Sequence, residues 1–131
     1  GTATANSLTE SGNLTLNSTS TIKLTIFGAG ATDHSSLVRT GGTWTFAANQ
    51  QVAFSDLGAI SGTTYTGIIT GISSLQSVSG WTITTSGWQG TFANNAGSVD
   101  LTLTAVPEPS FVALSLCLFS LILLFRRNKI A

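Results

Sequence analysis

The residues best suited to chemistry in this chain of 131 residues stand side by side. The stretch "TDHSS", Thr32 to Ser36, brings Asp33, His34, Ser35 and Ser36 together. A serine nucleophile needs a base to take its proton and an acid to orient that base, and all three residue types are present. Neighbours on an extended backbone point to opposite faces, however, so adjacency works against a shared site. The reading preferred on the residues is a polar loop in which Asp33 turns the backbone through its own side chain.

Other chemistries find fewer candidates. Asp33, Asp56 and Asp100 are scattered, and the only histidine and the only cysteine, His34 and Cys117, cannot supply a zinc site between them. No glycine sits in a strand-to-helix context followed by Lys and Ser or Thr, so no phosphate loop is expected. Neither a metal nor a cofactor is expected, and the chain reads as non-enzymatic. Trp44, Trp81 and Trp88, with Tyr65, could stack on sugar rings if exposed together. Trp44 and Trp81 fall in alternating strand-like runs, which favours core packing.

The elements that must position these residues are strands. In "NLTLNSTSTIKLTIFG", Leu14, Leu16, Ile22, Leu24 and Ile26 share one parity, with Thr15, Lys23 and Thr25 on the other. The same alternation recurs at Trp44 and Phe46, at Val52 and Phe54, at Trp81 and Ile83, and at Val99, Leu101 and Leu103. All 14 glycines precede Thr104 and most fall between these runs, where turns need them. "NNAG", Asn94 to Gly97, is the clearest hairpin turn. Segments beginning at Gly42, Gly62 and Gly80 look alike at a spacing of roughly twenty residues, as the rungs of a β-solenoid would. The fold expected for residues 1–105 is therefore all-β, a Gly/Thr/Ser-rich β-solenoid or, second, a β-sandwich.

Charge and composition narrow the function further. Residues 1–105 carry Lys23 and Arg39 against Glu10, Asp33, Asp56 and Asp100, a net charge of −2, and no basic patch for nucleic acid. Ser and Thr supply 35 of those 105 residues, a wet and weakly charged surface suited to a secreted structural domain. Asn13 and Asn17 each begin an Asn-x-Ser/Thr triplet, a cheap match in such a chain. There is no Met, and "GTATANSLTE" has no apolar leader, so a native N-terminus and secretion signal are expected upstream.

The C-terminus is unlike everything before it. "VPEPSFVALSLCLFSLILLFRRNKIA" holds Pro107, Glu108 and Pro109 in a linker over 106–110. An uncharged run over 111–125 and a basic end over 126–131 with Arg126, Arg127 and Lys129 follow. As a helix the 15-residue run would rise about 22 Å, short of the ~30 Å hydrocarbon core, yet it is expected to span a membrane with the basic residues cytoplasmic. Cys117 lies inside this run with no partner, so no disulfide is expected.

These three ordered parts resemble the PEP-CTERM sorting signal of Gram-negative bacteria. The resemblance covers about 26 residues and implies recognition of Pro107, Glu108 and Pro109 by a membrane-bound exosortase. The apolar run and the arginines would hold the precursor in the inner membrane, and processing would release the body to the outer surface or extracellular matrix. Less specifically, "TDHSSLVRTGGTWTF" and "GSVDLTLTAVPEPS" are similar to the ends of autotransporter-type β-strand repeat regions, which implies the end of a right-handed β-helix. The function expected is that of a secreted surface or matrix protein of a biofilm. The alternative is a carbohydrate-binding module or adhesin using Trp44, Trp81 or Trp88 on exopolysaccharide.

Overall fold

A computed structural model describes residues 6–107 and 120–124. Ten strands run in chain order: β1 (Ser7–Glu10), β2 (Leu14–Thr15), β3 (Thr21–Ile26), β4 (Ser36–Arg39), β5 (Trp44–Thr45), β6 (Gln51–Asp56), β7 (Thr64–Thr70), β8 (Thr82–Ile83), β9 (Trp88–Asn95) and β10 (Ser98–Ala105). They form a five-stranded sheet in the order β1-β4-β7-β10-β9, a two-stranded sheet β2-β5 and a three-stranded sheet β3-β6-β8.

Alternation made these strands. In β3, Ile22, Leu24 and Ile26 are buried while Thr21 and Lys23 are exposed. Val99, Leu101 and Leu103 of β10 are fully buried in the same way. Asn17 interrupts the apparent continuity of Leu14 to Ile26: its Oδ1 accepts from the backbone N–H groups of Thr19 and Ser20 at 3.0 and 3.1 Å, turning the chain between β2 and β3.

Successive passes of the chain stack in parallel. Ser7 faces Ser36, Leu14 faces Trp44 and Thr21 faces Gln51, offsets of 29, 30 and 30 residues. The second and third passes meet at Leu37 opposite Ile69 and Gln51 opposite Thr82, offsets of 32 and 31. The period is thus near thirty, and the twenty-residue spacing read from the sequence is corrected: the segments at Gly42, Gly62 and Gly80 lead into β5, β7 and β8, which belong to three different sheets.

The chain is mostly β, but the solenoid-end expectation fails because the sheets do not close into a solenoid or a barrel. The third pass breaks the pattern. It gives the three-stranded sheet only the two residues of β8 and adds nothing to β2-β5. Residues 71–80, which lack apolar alternation, form turns with Leu75 92% exposed. The chain then reverses into the β9-β10 hairpin, which joins β7 antiparallel. The described residues form three sheets, so the two-sheet sandwich is corrected as well. The hairpin itself is where "NNAG" placed it: Ala96 and Gly97 both have positive φ, 53° and 93°, as a tight two-residue turn requires.

The expectation of a C-terminal transmembrane helix is also overturned. No helix among the described residues is long and apolar enough to cross a membrane. The helix described there spans 120–124, a rise of about 7.5 Å against the ~30 Å needed. The remainder of the 111–125 run lies outside the described residues.

The core sits between the sheets. The three-stranded sheet contributes Ile22, Leu24, Val52 and Phe54, the five-stranded sheet Tyr65, Ile69, Phe92 and Leu101, and the β2-β5 corner Trp44 and Phe46.

Candidate functional site

The "TDHSS" stretch lies between β3 and the start of β4, and the side chains of Asp33, His34 and Ser35 brace backbone. Asp33 Oδ2 accepts from Gly30 N–H at 2.8 Å. Ser35 Oγ accepts from Thr25 N–H at 2.8 Å, tying the turn to β3. His34 is 5% exposed, forms a bridge with Ile26, and stands edge-on to Tyr65 with ring centroids 6.1 Å apart. Its Nδ1 and Nε2 lie 2.8 Å from the carbonyl oxygens of Ser35 and Thr66.

This geometry cannot relay a proton to a serine. Both ring nitrogens face carbonyl oxygens, while the Ser35 hydroxyl oxygen and the Asp33 carboxylate are engaged by amides elsewhere. The four residues are adjacent, but they do not form a nucleophile, base and orienting acid in sequence. Among the described residues no three of His, Cys, Asp and Glu come together as a metal site would need. Cys117 lies outside the described residues.

The three indoles are not a row on the surface. Trp44 is 9% and Trp81 3% exposed, and only Trp88 is half-buried. Trp44 packs on Phe46, Phe46 on Trp81 and Trp81 on Phe92, at centroid distances of 6.2, 5.2 and 5.7 Å. Trp88 belongs to a separate pair with Phe54, 5.7 Å apart. Trp44 Nε1 donates to the Gly12 carbonyl at 3.0 Å, whereas Trp81 Nε1 is buried with no hydrogen-bond partner among the described residues.

The junction with the C-terminal segment is well defined on its folded side. β10 pairs with β9 as far as Ala105 opposite Trp88, and Ala105 N–H donates to Ser61 Oγ at 2.9 Å. Val106 N–H donates to the Gly87 carbonyl at 2.9 Å, and Pro107, exposed and without an N–H, follows. Glu108, Pro109, Arg126, Arg127 and Lys129 lie outside the described residues.

Sequence reasoning missed the residues that join one pass to the next. Gly12, Leu14, Thr15, Leu16, Ile22, Leu24 and Gly28 recur thirty positions later as Gly42, Trp44, Thr45, Phe46, Val52, Phe54 and Gly58. That internal repeat is the signal that would have found the stacking. No family model, no curated protein and no solved structure matches the chain.

Proposed function

We propose that the chain is a non-enzymatic protein of the cell surface or extracellular matrix, exported as a precursor whose residues 106–131 are a sorting signal. An exosortase at the inner membrane reads Pro107, Glu108 and Pro109, and processing there releases the body. The observation that carries this reading is the position of the motif. Among the described residues the last strand ends at Ala105 and Val106 N–H makes the last backbone bond, immediately before the tripeptide, so a cut at the motif would leave every described strand intact.

The burial of Trp44 and Trp81 supports a structural role for the body over carbohydrate binding, because stacking on exopolysaccharide needs exposed rings. The test is replacement of Pro107, Glu108 and Pro109 by alanine in a Gram-negative host with an exosortase. Unprocessed precursor should accumulate in the inner-membrane fraction. Mature protein of normal size outside the cell would refute the sorting role.

A further inference from the structure

β9 ends the five-stranded sheet, and only one of its sides is paired. In its two-residue hairpin Asn95 and Ser98 form the bonded pair beside the turn, and the alternation runs down the ladder to Val106 N–H on the Gly87 carbonyl. Gln89, Thr91, Ala93 and Asn95 therefore direct their backbone groups to β10. Those of Gly90, Phe92 and Asn94 point away from it, and no described residue pairs with them. The chain leading into β9 over 71–87 and out of it over 96–107 is described, and it leaves that edge uncovered.

We propose that β9 is a dimerisation edge, on which β9 of a second copy pairs antiparallel about a two-fold axis at Phe92. That register sets Gly90 of each copy opposite Asn94 of the other, and Phe92 opposite its own image. Every outward amide and carbonyl of the three residues then finds a partner, because residues opposed in this way exchange both of their backbone bonds. The five-stranded sheets of the two copies become one continuous sheet.

The side chains agree with self-pairing. β9 is 8 residues long and carries none of the devices that blunt an edge, having neither a charge nor a proline. Its exposed row is Gln89, Thr91, Ala93 and Asn95. In the two-fold register Gln89 stands opposite Asn95, and Thr91 opposite Ala93. Asn95 Nδ2 already donates to Asp100 Oδ2 at 2.6 Å, which leaves its Oδ1 to accept from the Gln89 amide of the other copy. An unrelated strand would satisfy the backbone but not, in both directions, this row of side chains. An apolar anchor lies at the same edge: Leu75, 92% exposed, is carried on the turn whose Ser73 and Gln76 carbonyls accept from Asn94 Nδ2 at 2.9 Å. Asn94 faces Gly90 of the second copy, so Leu75 comes beside that bare backbone and the half-buried Trp88 next to it.

Sedimentation velocity of the full chain in a mild non-ionic detergent, with amide exchange followed by NMR, tests the edge. The expected result is a concentration-dependent dimer. The amides of Gly90, Phe92 and Asn94 should gain protection as it forms, while those of Thr91 and Ala93 are protected throughout by β10. Thr91→Lys combined with Ala93→Lys sets like charges directly opposite one another and should raise the dissociation constant about tenfold or more. Thr91→Lys combined with Ala93→Glu sets opposite charges there and should hold the constant within about threefold of the parent's. Both positions are exposed, so circular dichroism should report an unchanged β spectrum for each variant. A monomer at all concentrations or a dimer indifferent to the paired lysines would overturn the proposal. So would protection of Gly90, Phe92 and Asn94 that does not vary with concentration, because another part of the same chain would then cover the edge.

Discussion

The phenol of Tyr65 donates to the carbonyl of Gly28 at 3.0 Å, across 37 residues of chain, from a side chain with no exposure to solvent. The same oxygen accepts from Ile60 N–H at 3.1 Å. Gly28 lies in the turn after β3, Ile60 in the loop after β6, and Tyr65 in β7, so one hydroxyl ties together all three passes. Tyr65→Phe keeps the ring and strands both backbone groups. Urea unfolding should show a loss of about 1–3 kcal/mol. Tyr65→Ala, which also empties the ring's place in the core, should cost about 3–5 kcal/mol. A Tyr65→Phe variant as stable as the parent would mean that the hydroxyl does not join the passes.

Close stacking of the passes demands glycine at Gly42. Its φ is 67°, and a Cβ there would overlap the Gly12 carbonyl and lie 2.8 Å from Asn13 N. Gly62, with φ 86°, has nothing within 4 Å of the same position. Gly62→Ala therefore meets only the left-handed backbone penalty, about 1–2 kcal/mol. Gly42→Ala meets that penalty and a clash with the pass beneath. The expected thermal midpoint of Gly42→Ala is well below that of Gly62→Ala, and equal midpoints would show that the first and second passes can separate at this corner without loss.

How much of this was legible beforehand differs by level. Strand parity was, because burial on one face imposes a period of two on each run: Ile22 and Leu24, Val52 and Phe54, Val99 and Leu101 all read correctly. The pass length was not. At its apolar positions the repeat preserves character and not identity, exchanging Leu14 for Trp44, Leu16 for Phe46 and Leu24 for Phe54, while the more conspicuous segments at Gly42, Gly62 and Gly80 fall in different sheets. The β9-β10 hairpin was legible from its turn, Asn94 to Gly97, but its antiparallel docking on β7 was not, since alternation in β10 does not say which strand it joins. The surroundings of His34 were hidden as well: the Thr66 carbonyl beside its Nε2 lies 32 residues away and no local pattern points to it.

The two buried indoles differ in one bond, and that difference can be measured. Trp44 Nε1 has the Gly12 carbonyl as its acceptor, while Trp81 Nε1 has no hydrogen-bond partner among the described residues. Replacing either by Phe removes a similar volume from a buried place. Trp44→Phe also leaves a carbonyl without its donor, whereas Trp81→Phe removes a donor that was already unsatisfied. Trp44→Phe should accordingly be the more damaging by about 1 kcal/mol or more in chemical denaturation. The opposite order would show that ring packing, and not the Nε1 bonds, decides the two sites.

The proposed processing at the motif requires that the body keep its fold without the tail, and the bonding of the described residues at the junction says where the limit lies. Val106 N–H donates to Gly87, and the strand before it buries Val99, Leu101 and Leu103 completely. A chain ending at Pro107 should retain its β spectrum and its urea midpoint. A chain ending at Gly97 loses β10, the strand that pairs with both β7 and β9. Burial of Val99, Leu101 and Leu103 contributes about 1.5–3 kcal/mol for each side chain, so removing all three takes away about 4.5–9 kcal/mol, comparable with the whole 5–15 kcal/mol a domain has to spare. The shorter chain should be unfolded by circular dichroism. If the chain ending at Pro107 were unfolded too, the tail would be part of the body's stability, and the proposed cut would destroy the body.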